Sequence, residues 1–263
     1  MAETVLPSSC SFRAGAMKID IQSQAVLIEF ATRVLRNEAD KDYIIARIAH
    51  RFEFDQQFLW SAEQAVEKYL KAILLFNATS AKGIWHNLNE ALRRIHSIQD
   101  FDIRLPKDVC DFVKYLDDYG ANRYLEFPSH VRMNSLLELD RAVWFIRRYC
   151  YYMGGEIKKL DGTVIERRTA HLAAVNALTV DDDPRKCRIF GGYLEKVLDE
   201  KLASAPYLVW QNFFYGRVFR KRISNYRPRA SAINPPQDMH DEWFEILEQF
   251  VDFPRRRTTA KRR

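Results

Sequence analysis

Apolar residues recur at three- and four-residue steps through much of the first 153 positions, and that period predicts helices, not strands. The clearest run extends from Asp55 to Phe76, where Phe58, Ala62, Ala65, Tyr69 and Ile73 are flanked by Leu59, Val66, Leu70 and Leu74. So wide an apolar arc belongs at the centre of a bundle. On the same helix Glu67 precedes Lys71 by four, the favourable order for a surface ion pair. Upstream, Tyr43, Ile44, Ala46 and Ile48 predict a helix from Asp40 to Phe52; downstream, Leu88, Ala91, Leu92 and Ile95 predict a short one from His86 to His96. A fourth helix runs from Pro106 to about Leu125, because proline at the first helical position gives up no needed donor. Pro128 disfavours helix at Phe127, so a fifth is expected to restart with Ser129 as its N-cap and to end at Gly154–Gly155.

Beyond Gly155 the pattern changes. Asp161–Gly162 between short apolar-bearing flanks, Ile157 to Ile165, signals a β-hairpin. Asp181 to Pro184 reads as a turn, Tyr193 to Leu202 and Asp241 to Phe250 as helices, and Tyr207 to Phe219 as an aromatic stretch. The expected organisation is a flexible lead-in (1–20), a helical bundle (21–153) and a linker with the hairpin (154–184). A basic and aromatic C-terminal module or extension packed onto the bundle (185–253) and a disordered tail (254–263) follow. The fold class is mainly α, about five helices with a smaller α(+β) basic extension.

Composition narrows the class. At 263 residues, 47% hydrophobic and 29% charged, the chain is an ordinary globular one with room for a sizeable core. It has no apolar run of membrane-spanning length and no secretory pattern in its first twenty residues, so no membrane role is expected. Cys10, Cys110, Cys150 and Cys187 are scattered without metal-ligand spacing, which points to a reducing cytoplasm and to no metal or other cofactor. The formal charge of +6 is local: the last ten residues hold six cations and no acid, and without them basic and acidic residues balance at 35 each. Such a cluster attracts phosphates.

Three segments in order, SAEQAVEKYLKAILLFN (Ser61–Asn77), WHNLNEALRRI (Trp85–Ile95) and DDYGANRYLEFPSH (Asp117–His130), resemble the HEPN family. The resemblance covers about 110 residues and stops near Gly155. It implies a helical bundle that dimerises. Many members are ribonucleases of toxin–antitoxin, phage-defence or RNA-processing systems; others bind nucleotide or a partner protein without catalysis. Active members carry an arginine, four to six residues and then a histidine at the start of the last helix, which falls here on Arg123 and His130. Tyr124 stands where active members commonly have a polar residue, and Arg–Tyr followed by a proline is typical of members that associate with nucleotidyltransferases.

The chemistry of the pair suits metal-independent RNA cleavage. His130 can move a proton near neutral pH, and a first-turn position would bring the positive helix end to bear on it. Arg123 offers a fork matched to phosphate. On an unbroken helix the two would stand roughly 10 Å apart, a separation the break at Pro128 can shorten. By contrast, His86 reads as a helix-start residue, His50 and His96 as solvated helix-end residues, and Glu63 with Glu67 as a solvated face. Neither His171 nor His240 has a partner by spacing.

A second candidate lies near the C-terminus, where Arg217, Arg220, Lys221, Arg222, Arg227 and Arg229 occur without an intervening acid beside Phe214 and Tyr215. Cations for the backbone and rings for unpaired bases suit single-stranded RNA; a core-facing aromatic stripe with a solvated basic edge fits the same residues equally. The expected function is therefore an endoribonuclease, a toxin or phage-defence effector acting on RNA as a homodimer. The alternatives are a non-catalytic module binding nucleotide or a nucleotidyltransferase-type antitoxin, and an RNA-binding dimeric adaptor.

Overall fold

A computed structural model describes residues 20–120, 129–158, 160–179, 181–215 and 228–233, together with Ile246 and Gln249. The lead-in before Asp20, the helix expected over 241–250 apart from those two positions, and the basic tail lie outside the described residues. The chain enters as one continuous helical rod: α1 (Ile21–Phe30), a π-helical segment (Ala31–Arg36) and α2 (Asn37–Arg51). Asp20 caps it, its carboxylate accepting from the Ser23 amide at 2.8 Å. The rod begins about twenty residues before the helix expected at Asp40. The reason is visible in its packing: α1 buries no residue, and Ile21, Val26 and Phe30 stand exposed, so its apolar positions trace no core face.

Helix α3 (Asp55–Phe76) is the central one, touching the rod, α4 (Leu88–His96), α5 (Lys107–Tyr119) and α6 (Ser135–Arg147). Phe58, Ala62, Ala65, Val66, Tyr69, Leu70 and Ile73 are all within 0% of exposure, as the wide apolar arc requires. The α3 C-terminus is closed by the Asn77 side-chain amide, which donates to the Ile73 carbonyl at 2.8 Å. Asn87 caps α4 through Glu90, and Asp117 of α5 accepts from the Leu88 amide at 2.5 Å, tying the two helices together.

Two boundaries differ from expectation. Helix α5 ends at Tyr119, and residues 121–128 lie outside the described residues. Ser129–Val131 is a short strand, β1, and α6 begins only at Ser135. Downstream come β2 (Glu156–Lys158) and β3 (Val164–Glu166), an antiparallel hairpin whose turn uses Gly162 at φ +85. Then follow α7 (Arg167–Ala177), which periodicity did not flag, a 3₁₀ turn at Pro184–Cys187, α8 (Tyr193–Asp199), α9 (Ala205–Val209) and β4 (Ser231–Ile233). Strand β4 pairs antiparallel with β1, His130 opposite Ala232.

Residues 185–215 are bound to the bundle by buried ions. The Arg147 guanidinium reaches Asp40 at 2.7 and 2.8 Å and Glu195 at 2.8 and 2.6 Å, while Tyr69 donates to Asp40 at 2.6 Å. Burial disfavours the Arg147 charge, but Asp40 and Glu195 outweigh it and hold the guanidinium firmly protonated. Beside this set, Arg47 pairs with Asp140 and donates to the backbone carbonyls of Tyr207 and Trp210. Asn212 completes the contact by donating to the Tyr43 hydroxyl at 2.8 Å. Among the described residues no helix is long and apolar enough to cross a membrane.

Candidate active site

Arg123 lies outside the described residues, as do Tyr124 and Pro128; His130 is described and exposed. The strand position of His130 removes the helix N-terminus from its surroundings, so the expected influence of a helix dipole on the imidazole does not apply. Instead the strand is held from both sides. The Tyr115 hydroxyl donates to the His130 carbonyl, and β4 supplies the pairing on the other edge. Burial pushes the Tyr115 hydroxyl up to about 12, with Ser135 and Arg132 opposing, so it stays a donor at physiological pH. The His130 ring meets Tyr119 edge-on at 5.5 Å and lies 5.9 Å from Tyr115. Arg132 stacks on the Tyr115 ring, 4.0 Å from its centre.

Gly120 follows directly after Tyr119 and lies against α3. A methyl added there would fall inside the Cβ and Cγ of Glu63, so the close approach of α5 to α3 depends on a glycine. The turn that leads into the Arg123 segment therefore has His130 beside one residue and Glu63 beside the next.

Glu63 and Glu67 do not form a solvated face. They are 0% and 5% exposed and are joined by His86 across the α3–α4 loop. The His86 Nδ1 is 2.8 Å from Glu67 and 4.0 Å from Glu63. Gln64 donates to Glu63 at 2.7 Å, and Lys71 pairs with Glu67 while donating to the Trp85 carbonyl at 2.8 Å. Burial raises the Glu67 carboxyl, but the hydrogen bonds from Lys71 and His86 together outweigh it and leave the group below its ordinary range. Glu63, Glu67 and His86 each bring one ligand atom within 4.8 Å of the others, a donor set able to take a divalent ion. Lys71 and His86 already compensate Glu67 from within the chain, so its burial needs no metal. The i, i+4 spacing of the two carboxylates was visible in the sequence; the histidine nineteen residues on was not.

The described members of the C-terminal candidate are committed elsewhere. Phe214 is 9% exposed and stacks on Trp144 at 5.4 Å, and Tyr215 lies 5.9 Å from Tyr43 over the core. Such packing leaves these rings to the core and not to bases, because the chain folds back over α2 and α6 at this point. Arg229 forms a two-pronged pair with Asp55 at the start of α3, and its amide donates to the Met133 carbonyl at 3.2 Å. Arg229 thus anchors β4. Arg217, Arg220, Lys221, Arg222 and Arg227 lie outside the described residues. His50, expected to be solvated, is 7% exposed and packs edge-on against Phe58 at 5.0 Å.

Compared with models of known protein families, residues 32–144 match the HEPN domain. No curated protein and no solved structure gives a match.

Proposed function

The helical body of this chain, residues 32–144, belongs to the HEPN family, and from that premise we propose that the protein is a metal-independent endoribonuclease acting through Arg123 and His130. The observation that carries the reading is the setting of His130. Its imidazole is exposed, braced by two tyrosine rings, on a strand fixed by backbone pairing and directly downstream of the Arg123 segment. A base so placed can take the proton from a ribose 2′-hydroxyl while that oxygen attacks the adjacent phosphorus. The bond from phosphorus to the 5′-oxygen then breaks, and the leaving oxygen is protonated. Arg123 balances the charge that builds on the phosphate. The products are a 2′,3′-cyclic phosphate and a 5′-hydroxyl.

A pair of copies facing one another would join two such sets into one composite site, and the setting we propose for it is a toxin or phage-defence system. End-group analysis of cleaved RNA tests the chemistry. Wild type should leave cyclic phosphates, and Arg123→Ala and His130→Ala should each slow cleavage by about 10²-fold or more. Equal activity in all three proteins excludes this assignment.

A further inference from the structure

A cavity of about 650 Å³ opens behind the bundle, between α7, the 3₁₀ turn and the segment that follows α6. It lies beyond the family match and away from β1. Its volume falls within the range of about 300–1,000 Å³ usual for small-ligand sites. Four cations line it, Arg148, Arg167, Lys186 and Arg188, and no carboxylate does. Lys186 and Arg188 have partners outside it, the half-buried Asp182 and the exposed Asp199. Arg148 and Arg167 have no ion pair with any described carboxylate.

Arg148 is the telling residue. It is 3% exposed, yet only neutral groups hold it: the Leu178 carbonyl at 3.1 Å, the Arg104 carbonyl at 3.4 Å and the Tyr149 hydroxyl at 3.5 Å. Its Nε makes no hydrogen bond, and the guanidinium lies against Phe145 and Trp144, 4.4 and 5.1 Å from the ring centres. A buried cation without a counter-charge is costly, and the cost falls when an anion binds beside it. Of the other buried arginines, Arg47 and Arg147 are neutralised by acids, while Arg36, held by Asn37 and the Cys150 and Gly191 carbonyls, lines no part of this cavity. Arg148 lines it and is not neutralised.

The rest of the lining favours a planar, partly apolar body attached to that anion. Tyr151 and His171 form an edge-on pair at 5.6 Å, and Arg167 donates to His171 Nε2 at 3.3 Å. That donation makes Nε2 the acceptor, so the neutral ring carries its proton on Nδ1 and gives it to the Tyr151 oxygen, 3.0 Å away. The His171 pKa is lowered by burial and then by Arg167, consistent with this neutral form. Phe190 stands fully exposed among the lining residues, next to Gly191 at φ +68. An aromatic ring with nothing on its face is a platform for a base.

We propose that this cavity binds a nucleoside phosphate, its phosphate against Arg148 and Arg167 and its base against Phe190 and Tyr151. The ligand is either a free mononucleotide or the 5′-phosphorylated end of an RNA strand. Fluorescence anisotropy with a labelled adenosine monophosphate tests it on the full-length protein. Wild type should bind saturably, and Arg167→Ala and Phe190→Ala, both at exposed positions, should each weaken binding by about fivefold or more. Arg148→Gln should abolish it while melting cooperatively; if that variant does not fold, the other two decide. Competition identifies the source. Stronger displacement by unlabelled adenosine monophosphate points to the free nucleotide, and stronger displacement by a 5′-phosphorylated, 2′-O-methylated trinucleotide points to an RNA end. Displacement by adenosine as effective as by its monophosphate, unchanged binding in both exposed-site variants, or no saturable binding to wild type overturns the proposal. His130→Ala should bind the probe like wild type, so failure here and failure of the ribonuclease reading are distinguishable.

Discussion

His50 shows how one buried side chain sets a pH dependence. Burial, reinforced by the Arg229 charge, lowers its pKa from 6.5 to about 4. Between these values the unfolded chain binds a proton that the folded chain refuses, so stability falls as pH falls through that window. Above it the imidazole is neutral in both states and contributes no dependence. The expected loss is about 2 kcal/mol between pH 7.5 and pH 5, read from denaturant midpoints. His50→Phe should flatten the curve over this range, and an unchanged slope would count against the assignment. Arg147 makes the opposite case, a buried charge that is fully answered. Replacing Glu195 or Asp40 by alanine leaves the guanidinium partly unpaired and should cost about 3–5 kcal/mol.

At the scale of elements, the contact between α5 and α3 rests on the absence of a side chain at Gly120. Gly120→Ala drives a methyl into Glu63 at its Cβ, which no rotamer change relieves. The helix must shift instead, at a cost of about 1–3 kcal/mol. Chemical denaturation measures that cost, and RNA cleavage should fall further than stability alone explains, because the same turn leads into the Arg123 segment. The β1–β4 pair is the other decisive element. Arg229 fixes β4 to Asp55, so Arg229→Ala should reduce cleavage through the strand that carries His130 while leaving the helical signal in circular dichroism unchanged. Full activity in Arg229→Ala would separate β4 from the site.

For the molecule as a whole, charge and scaffold are divided. Six of the cations stand in the last ten residues, and the remainder balances. Removing residues 254–263 should weaken RNA binding at low salt and make its log–log salt dependence shallower by up to about four units. Cleavage at saturating RNA should persist, since Arg123 and His130 remain. A composite site also requires two copies, and sedimentation of active protein as a monomer would exclude it.

The bundle helices α2 to α6 were legible in the chain itself because neighbours in sequence fix them, as in the apolar arc of α3 and the proline before α5. The Asp161–Gly162 turn marked the hairpin; α1 and α7, which bury at most one residue each, were not legible. The assignment of Arg123 and His130 rests on a motif at fixed spacing, and the cleavage assay decides it. What local pattern could not supply was any contact across a long loop. Burial of Glu63 and Glu67 depends on His86 and Gly120, and the strand at Ser129–Val131 exists through a partner about a hundred residues downstream. Nothing in the local pattern marks Arg148, at the end of α6, as buried, and folding removes water from it without supplying an acid. Local sequence determined the helices of the bundle, α2 to α6, because hydrogen bonds within a helix close over four residues. Tertiary structure alone decided which charges are buried and which of them still lack a counter-ion, because desolvation depends on everything packed around a group.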